Sequence, residues 1–183
     1  MRPEAGQVLH FSEDPTIRSF VPHVAATAQQ PEAYVWAVDA PHAPSYWFPR
    51  QCPRAMAWVT SYSTDEDRVR ILGPGGGERV HAVEYGWLEA IRTVKLYAYR
   101  FDAADFRPLD PDGHAYVCEH EVRPLRKAEP VSDLLELYEQ AGIQLKVLPN
   151  LWTFWDAVTT STLGFSGIRL RNAKPRSALS RIG

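Results

Sequence analysis

Cysteine is scarce: Cys52 and Cys118 are the only two in 183 residues. That is too few for the disulfide framework of a small secreted domain, and it fits a reducing compartment. No apolar run approaches the roughly 20 residues needed to span a bilayer. The opening MRPEAGQ lacks the apolar centre of a secretory signal. A cytoplasmic protein without a membrane partner is therefore expected. Neither sign of charge is in excess, since 20 Lys and Arg face 22 Asp and Glu for a net charge of −2. Nothing in that balance calls for nucleic acid. Several catalytic motifs are also missing. LGPGGGER (72–79) is glycine-rich, but no Gly-Lys-Ser/Thr follows, which excludes a P-loop. There is no Gly-x-Gly-x-x-Gly for a Rossmann cofactor site and no Gly-x-Ser-x-Gly nucleophile elbow. Neither cysteine sits in a neighbourhood that lowers a thiol pKa.

What is present is aromatic and proline-rich, with 15 prolines and 6 tryptophans. That composition predicts rigid turns around an aromatic core or pocket. The length suits one domain with a core that needs no staples. We expect it over residues 1–171, followed by a polar, basic and flexible tail over 172–183.

Short runs rich in Val, Tyr, Trp and Phe read as strands: QVLHFS (7–12), AYVWAVD (33–39), RAMAWVTS (54–61), RVHAVEY (79–85), VKLYAYRFD (94–102), HAYVCEHEV (114–122) and IQLKVLP (143–149). The clearest helix is LLELYEQA after Pro130-Val131-Ser132-Asp133, with Gly142 placed as its C-terminal cap. YGWLEAIRT (85–93) and LWTFWDAVTTST (151–162) are shorter candidates, and PHAPSYWF (41–48) is a helical turn broken by Pro49. Strands outnumber helices and do not alternate with helices of regular length. The expected fold class is α+β, with a split or strongly bent mixed/antiparallel sheet and a few flanking helices.

Three stretches carry candidate chemistry. VLHFS ends the first strand with His10 and Ser12, and the elbow Glu13-Asp14-Pro15 follows. YVWAVDAPHAPSYWFPRQCPR (34–54) brings together Trp36, Tyr46 and Trp47 with Arg50 and Arg54. Each of these arginines adjoins proline in a rigid turn, where a preorganised guanidinium suits phosphate or carboxylate as well as an ordinary surface ion pair. HAYVCEHEV alternates two faces, one with His114, Tyr116, Cys118 and His120, the other with Ala115, Val117, Glu119 and Glu121. The first face is no recognised zinc pattern, so no metal is expected. On the second, a carboxylate facing a cleft would stabilise a developing cation.

In their order, VLHFS, AYVWAVDAPHAPSYW and YVCEHEVRPL resemble the three-part layout of the ADP-ribosyltransferase-like superfamily, which includes toxin-type transferases and RNA 2′-phosphotransferases. The chain as a whole also resembles an uncharacterised bacterial family with the pattern HFSEDP…VWA-D–HAP-YWFPR-CPR. The superfamily resemblance implies NAD or ADP-ribose as ligand. His10 and Ser12 would then hold the adenosine-side ribose, and Trp36 or Tyr46 would stack on nicotinamide. Arg50 or Arg54 would hold the pyrophosphate, and Glu119 or Glu121 would be the catalytic carboxylate. The Ser-Thr-Ser signature of one subgroup is absent, since TTSTLGFSG (159–167) falls after the glutamate strand. From the residues alone we expect one concave site lined by His10, Tyr46, Trp47 and Arg50. Two other readings stand beside the transferase. One is a non-catalytic binding or structural module, in which the tryptophans are core or dimer contacts and His10 is a core histidine. The other is a small-molecule hydrolase.

Overall fold

In a computed structural model that describes residues 1–24, 32–75, 77–109 and 115–176, the chain is mixed α+β, with small antiparallel and mixed sheets and four α-helices among the described residues. Its contacts divide it into two compact units, Met1–Arg50 with Val94–Ser132, and Gln51–Thr93 with Asp133–Gly183.

The first unit begins with β1 (Gln7–Ser12), which pairs antiparallel with β5 (Tyr97–Asp102) so that His10 lies opposite Tyr99. The short β8 (Glu129–Pro130) adds to the other edge of β5. A second sheet runs β2 (Val35–Ala37), β7 (Tyr116–Cys118) and β6 (Arg107–Pro108), also antiparallel. The two sheets meet at the bridge between Leu9 and Val38, where each backbone N–H donates to the other residue's carbonyl at 2.8 Å. A split arrangement of this kind was expected from the sequence, as was the proximity of the His10 and Trp36 strands. Alternation explains the burial: Val8, Tyr99 and Phe101 point into one core with Val35, Phe106, Cys118 and Val122. Phe20 closes that core by packing edge-on against Tyr99 at 5.0 Å and Phe101 at 5.1 Å.

The second unit holds a four-stranded sheet in the order β10 (Gly164–Ile168), β3 (Arg54–Trp58), β4 (Arg79–Glu84) and β9 (Ile143–Leu148). Only its β4–β9 pair is parallel. The helices are α1 (Asp65–Leu72), α2 (Leu88–Thr93), α3 (Leu134–Gln140) and α4 (Trp152–Thr159). In α3 the Asp133 carboxylate accepts from the backbone of Leu135 and Glu136, and Gly142 takes the left-handed conformation at φ 64°. Cap and stop are those read from the sequence. Ile71 and Leu72 of α1 and Phe154 and Val158 of α4 bury against Ala55, Ala57, Val80 and Ala82 of the sheet.

Glycine is required in β10 for lack of room. A Cβ on Gly164 would meet the Trp58 indole at 2.3 Å, and one on Gly167 would meet Leu170 and Trp155 at 2.6 and 2.7 Å. Beyond β10, the buried Glu84 carboxylate accepts from the backbone N–H of Lys174, and Arg176 pairs with Asp156 at 2.8 Å. Residues 172–176 of the expected tail are thus held, and 177–183 lie outside the described residues. No helix among the described residues is long and apolar enough to cross a membrane.

Candidate functional site

The split in the first unit leaves a cavity of about 70 Å³ beside the Leu9–Val38 bridge. His10, Trp36 and Tyr46 line it, and Phe11, Val38 and Ala115 supply apolar wall. A buried water needs roughly 10–15 Å³ of such space. The cavity therefore takes about five waters, or the inner part of one planar ring, with the rest of any larger ligand lying outside.

His10 is positioned by strand alternation on β1, and its tautomer is set by a neighbour. Its Nδ1 lies 2.8 Å from the carbonyl oxygen of Trp36. A carbonyl can only accept, so Nδ1 carries the proton and donates, which leaves Nε2 as an acceptor without a partner among the described residues. Burial pushes the His10 pKa down to about 4, against the Trp36 hydrogen bond and with help from the positive charge of Arg50. The ring is held against Phe20 at 4.9 Å. At neutral pH this site therefore presents an uncharged acceptor nitrogen, suited to a hydrogen-bond donor. Trp36 also lines the cavity, and its indole N–H is buried with no partner among the described residues. Tyr46 reaches the cavity from the helical turn Ala43–Tyr46, which follows the contact of His42 Nδ1 with Asp39 at 2.6 Å.

The other residues singled out from the sequence are dispersed. The buried Ser12 does not reach the cavity: its hydroxyl accepts from the backbone N–H of Asp14 at 3.1 Å. Asp14 in turn accepts from Thr16, and its carbonyl accepts from the Tyr99 hydroxyl at 2.6 Å. The polar elbow behind His10 is thus a self-capped turn that fixes the end of β1. Ser12→Ala is expected to destabilise the protein by about 1 kcal/mol in urea unfolding. Unchanged stability would mean that this hydroxyl does not hold the turn. Trp47 is 2% exposed and belongs to the core. Arg50 is exposed at the end of the first unit, and its backbone N–H donates to Glu13 at 2.7 Å. Arg54 lies in the second unit, where its buried guanidinium donates to the carbonyl of Cys52 at 3.0 Å.

The two glutamates separate. The β2–β7 register sets Val35 opposite Cys118, Trp36 opposite Val117 and Ala37 opposite Tyr116. Continued by one residue, it places Glu119 opposite Tyr34, on the face that carries Trp36. Arg107 stands opposite Val117 on β6 and shares that face. Its guanidinium donates to Glu119 at 2.7 Å and to the Tyr34 hydroxyl at 3.3 Å, and sits 5.5 Å over the Tyr34 ring. Tyr34 is itself edge-on to Trp36 at 6.0 Å. Glu119 and Trp36 are therefore diagonal neighbours on one face, a separation of about 7–8 Å. Glu121 falls beyond the end of β7 and accepts from the Ser19 hydroxyl. Sequence reasoning missed Arg107. Its only local signal was the alternation of the strand it pairs with.

On the opposite face, Cys118 Sγ is 3.4 Å from His120 Nδ1, and His114 lies outside the described residues. Among the described residues, no group of three or more His, Cys, Asp or Glu side chains is arranged to hold a metal ion.

Comparison with known proteins identifies one family. Residues 9–173 match the model of a family of unknown function, DUF6886. No curated protein and no solved structure matches the chain.

Proposed function

We propose that this chain, which belongs to that family of unknown function, is an NAD-binding transferase of ADP-ribosyltransferase type acting through the cavity of its first unit. The observation that carries the reading is His10: a neutral imidazole, oriented by the Trp36 carbonyl, with its acceptor nitrogen unengaged in a cavity walled by Trp36 and Tyr46. The cavity is too small for a dinucleotide and suits the nicotinamide ring, whose positive charge is attracted to the indole face. His10 holds a ribose hydroxyl, and the positive charge of Arg50, felt at His10, attracts the phosphates.

The chemistry is displacement of nicotinamide. The C–N glycosidic bond breaks, its electron pair leaves with the ring, and the ribose becomes an oxocarbenium-like cation that an acceptor nucleophile attacks. That cation calls for a carboxylate on the ribose side, and of the two candidates Glu119 shares the Trp36 face. The split sheet around the Leu9–Val38 bridge supports the same superfamily reading. The second reading, a binding module without catalysis, is favoured by the ion pair that occupies Glu119. An assay of nicotinamide release from NAD, with free nicotinamide and ADP-ribose as binding controls, separates the two. Release that saturates with NAD supports the transferase, and binding without release supports the module.

A further inference from the structure

We infer that Arg107 and Glu119 form an exchangeable ion pair, in which the pyrophosphate of the bound nucleotide takes the guanidinium and releases the carboxylate. The inference rests on the NAD reading of the cavity and assigns to its site a residue and a order of events.

Arg107 is 52% exposed and Glu119 64% exposed in their side chains. Exposed pairs of this kind add little stability, so a stronger anion displaces the carboxylate at small cost. The guanidinium uses one nitrogen, Nη2, for both Glu119 and the Tyr34 hydroxyl. Its Nε and Nη1 have no partner among the described residues, so part of the planar fork stays available to phosphate oxygens. The guanidinium carbon lies 5.5 Å over the Tyr34 ring, whose face attracts the cation. While paired, Glu119 is neutralised by Arg107 and offers little to a developing cation. A pyrophosphate carries more negative charge than a carboxylate and draws the guanidinium to itself. The carboxylate then becomes available on the face that carries Trp36, only when nucleotide is present.

The test is calorimetric titration of the full chain with inorganic pyrophosphate, nicotinamide and ADP-ribose, using wild type, Arg107→Ala, Arg107→Lys and Glu119→Gln. Each variant is first shown to melt as wild type does. Removing charged hydrogen bonds to phosphate predicts about a tenfold loss of affinity for pyrophosphate and ADP-ribose in Arg107→Ala. Nicotinamide affinity stays unchanged, and Arg107→Lys recovers part of the loss. Glu119→Gln removes the competing anion and tightens both phosphate ligands about threefold. Wild-type affinity for pyrophosphate in Arg107→Ala, or weaker binding in Glu119→Gln, overturns the exchange. Binding of pyrophosphate through Arg107 without any binding of nicotinamide refutes the NAD reading and leaves the exchange standing. Binding of nicotinamide without pyrophosphate refutes the exchange alone, and binding of neither refutes both.

Discussion

Glu119→Gln is expected to slow nicotinamide release from NAD on the order of 100-fold, the usual scale for one well-placed electrostatic group. NAD affinity should not weaken, and should tighten about threefold as its pyrophosphate meets an Arg107 freed of the carboxylate. In the proposed chemistry the carboxylate meets a charge that exists fully only as the glycosidic bond breaks. Its removal therefore lowers kcat and kcat/KM together. The control is Glu121→Gln. That carboxylate takes the Ser19 hydroxyl beyond the end of β7, and its loss should leave turnover within about threefold of wild type. Equal losses in the two variants would contradict the face assignment drawn from the β2–β7 register. A loss confined to Glu121→Gln would reverse it.

Acid is expected to destabilise the protein through His10. Its pKa is about 4 in the fold against an ordinary value of 6.5. Above pH 6.5 the imidazole is neutral in both folded and unfolded chains and contributes nothing to pH dependence. As pH falls below 6.5 the unfolded chain takes up a proton that the fold refuses, so stability drops until the folded histidine titrates near pH 4. The full difference is about 3 kcal/mol, of which about 2 kcal/mol is lost by pH 5. His81, fully buried in the second unit and held well below its ordinary value by burial and by Arg79 and Arg54, acts in the same direction. The comparison that isolates His10 is urea unfolding of wild type and His10→Gln at pH 7.5 and pH 5. The variant should lose about 2 kcal/mol less over that interval. Equal losses would mean that His10 is not held neutral by its surroundings.

Much of this was legible in the sequence, for identifiable reasons. Strands built from Val, Tyr, Trp and Phe announce themselves, and so does a helix with Asp133 at its start and Gly142 at its end. The nearness of His10 and Trp36 followed from two such strands in one small unit. Helix α1 escaped notice because DEDRVRIL is polar over most of its length. Its signal was Thr64 with Asp67 three residues on, a capping pattern in which the Thr64 hydroxyl accepts from Asp67 N. Strand β10 was hidden by Gly164 and Gly167, poor strand formers present because two tryptophans fill the space. Arg50 and Arg54 read alike in sequence, yet a compact unit ends between them. Ser12 read as a ligand residue because local turn capping and ligand binding draw on the same hydroxyl. The Arg107–Glu119 pair depends on strand register, which no local pattern encodes. Alternation in HAYVCEHEV treated both glutamates as equals, because nothing in it showed that the strand stops at Cys118.

On the proposed reading, the cavity beside His10 takes the nicotinamide end of NAD. Saturation-transfer NMR of NAD with wild-type protein and with His10→Ala tests it most directly. The account predicts transfer strongest at the nicotinamide protons with wild type, displaced by free nicotinamide and weakened about tenfold or more in His10→Ala. Absence of transfer with the wild-type protein, or transfer to the same protons undiminished by the His10 substitution, would contradict it.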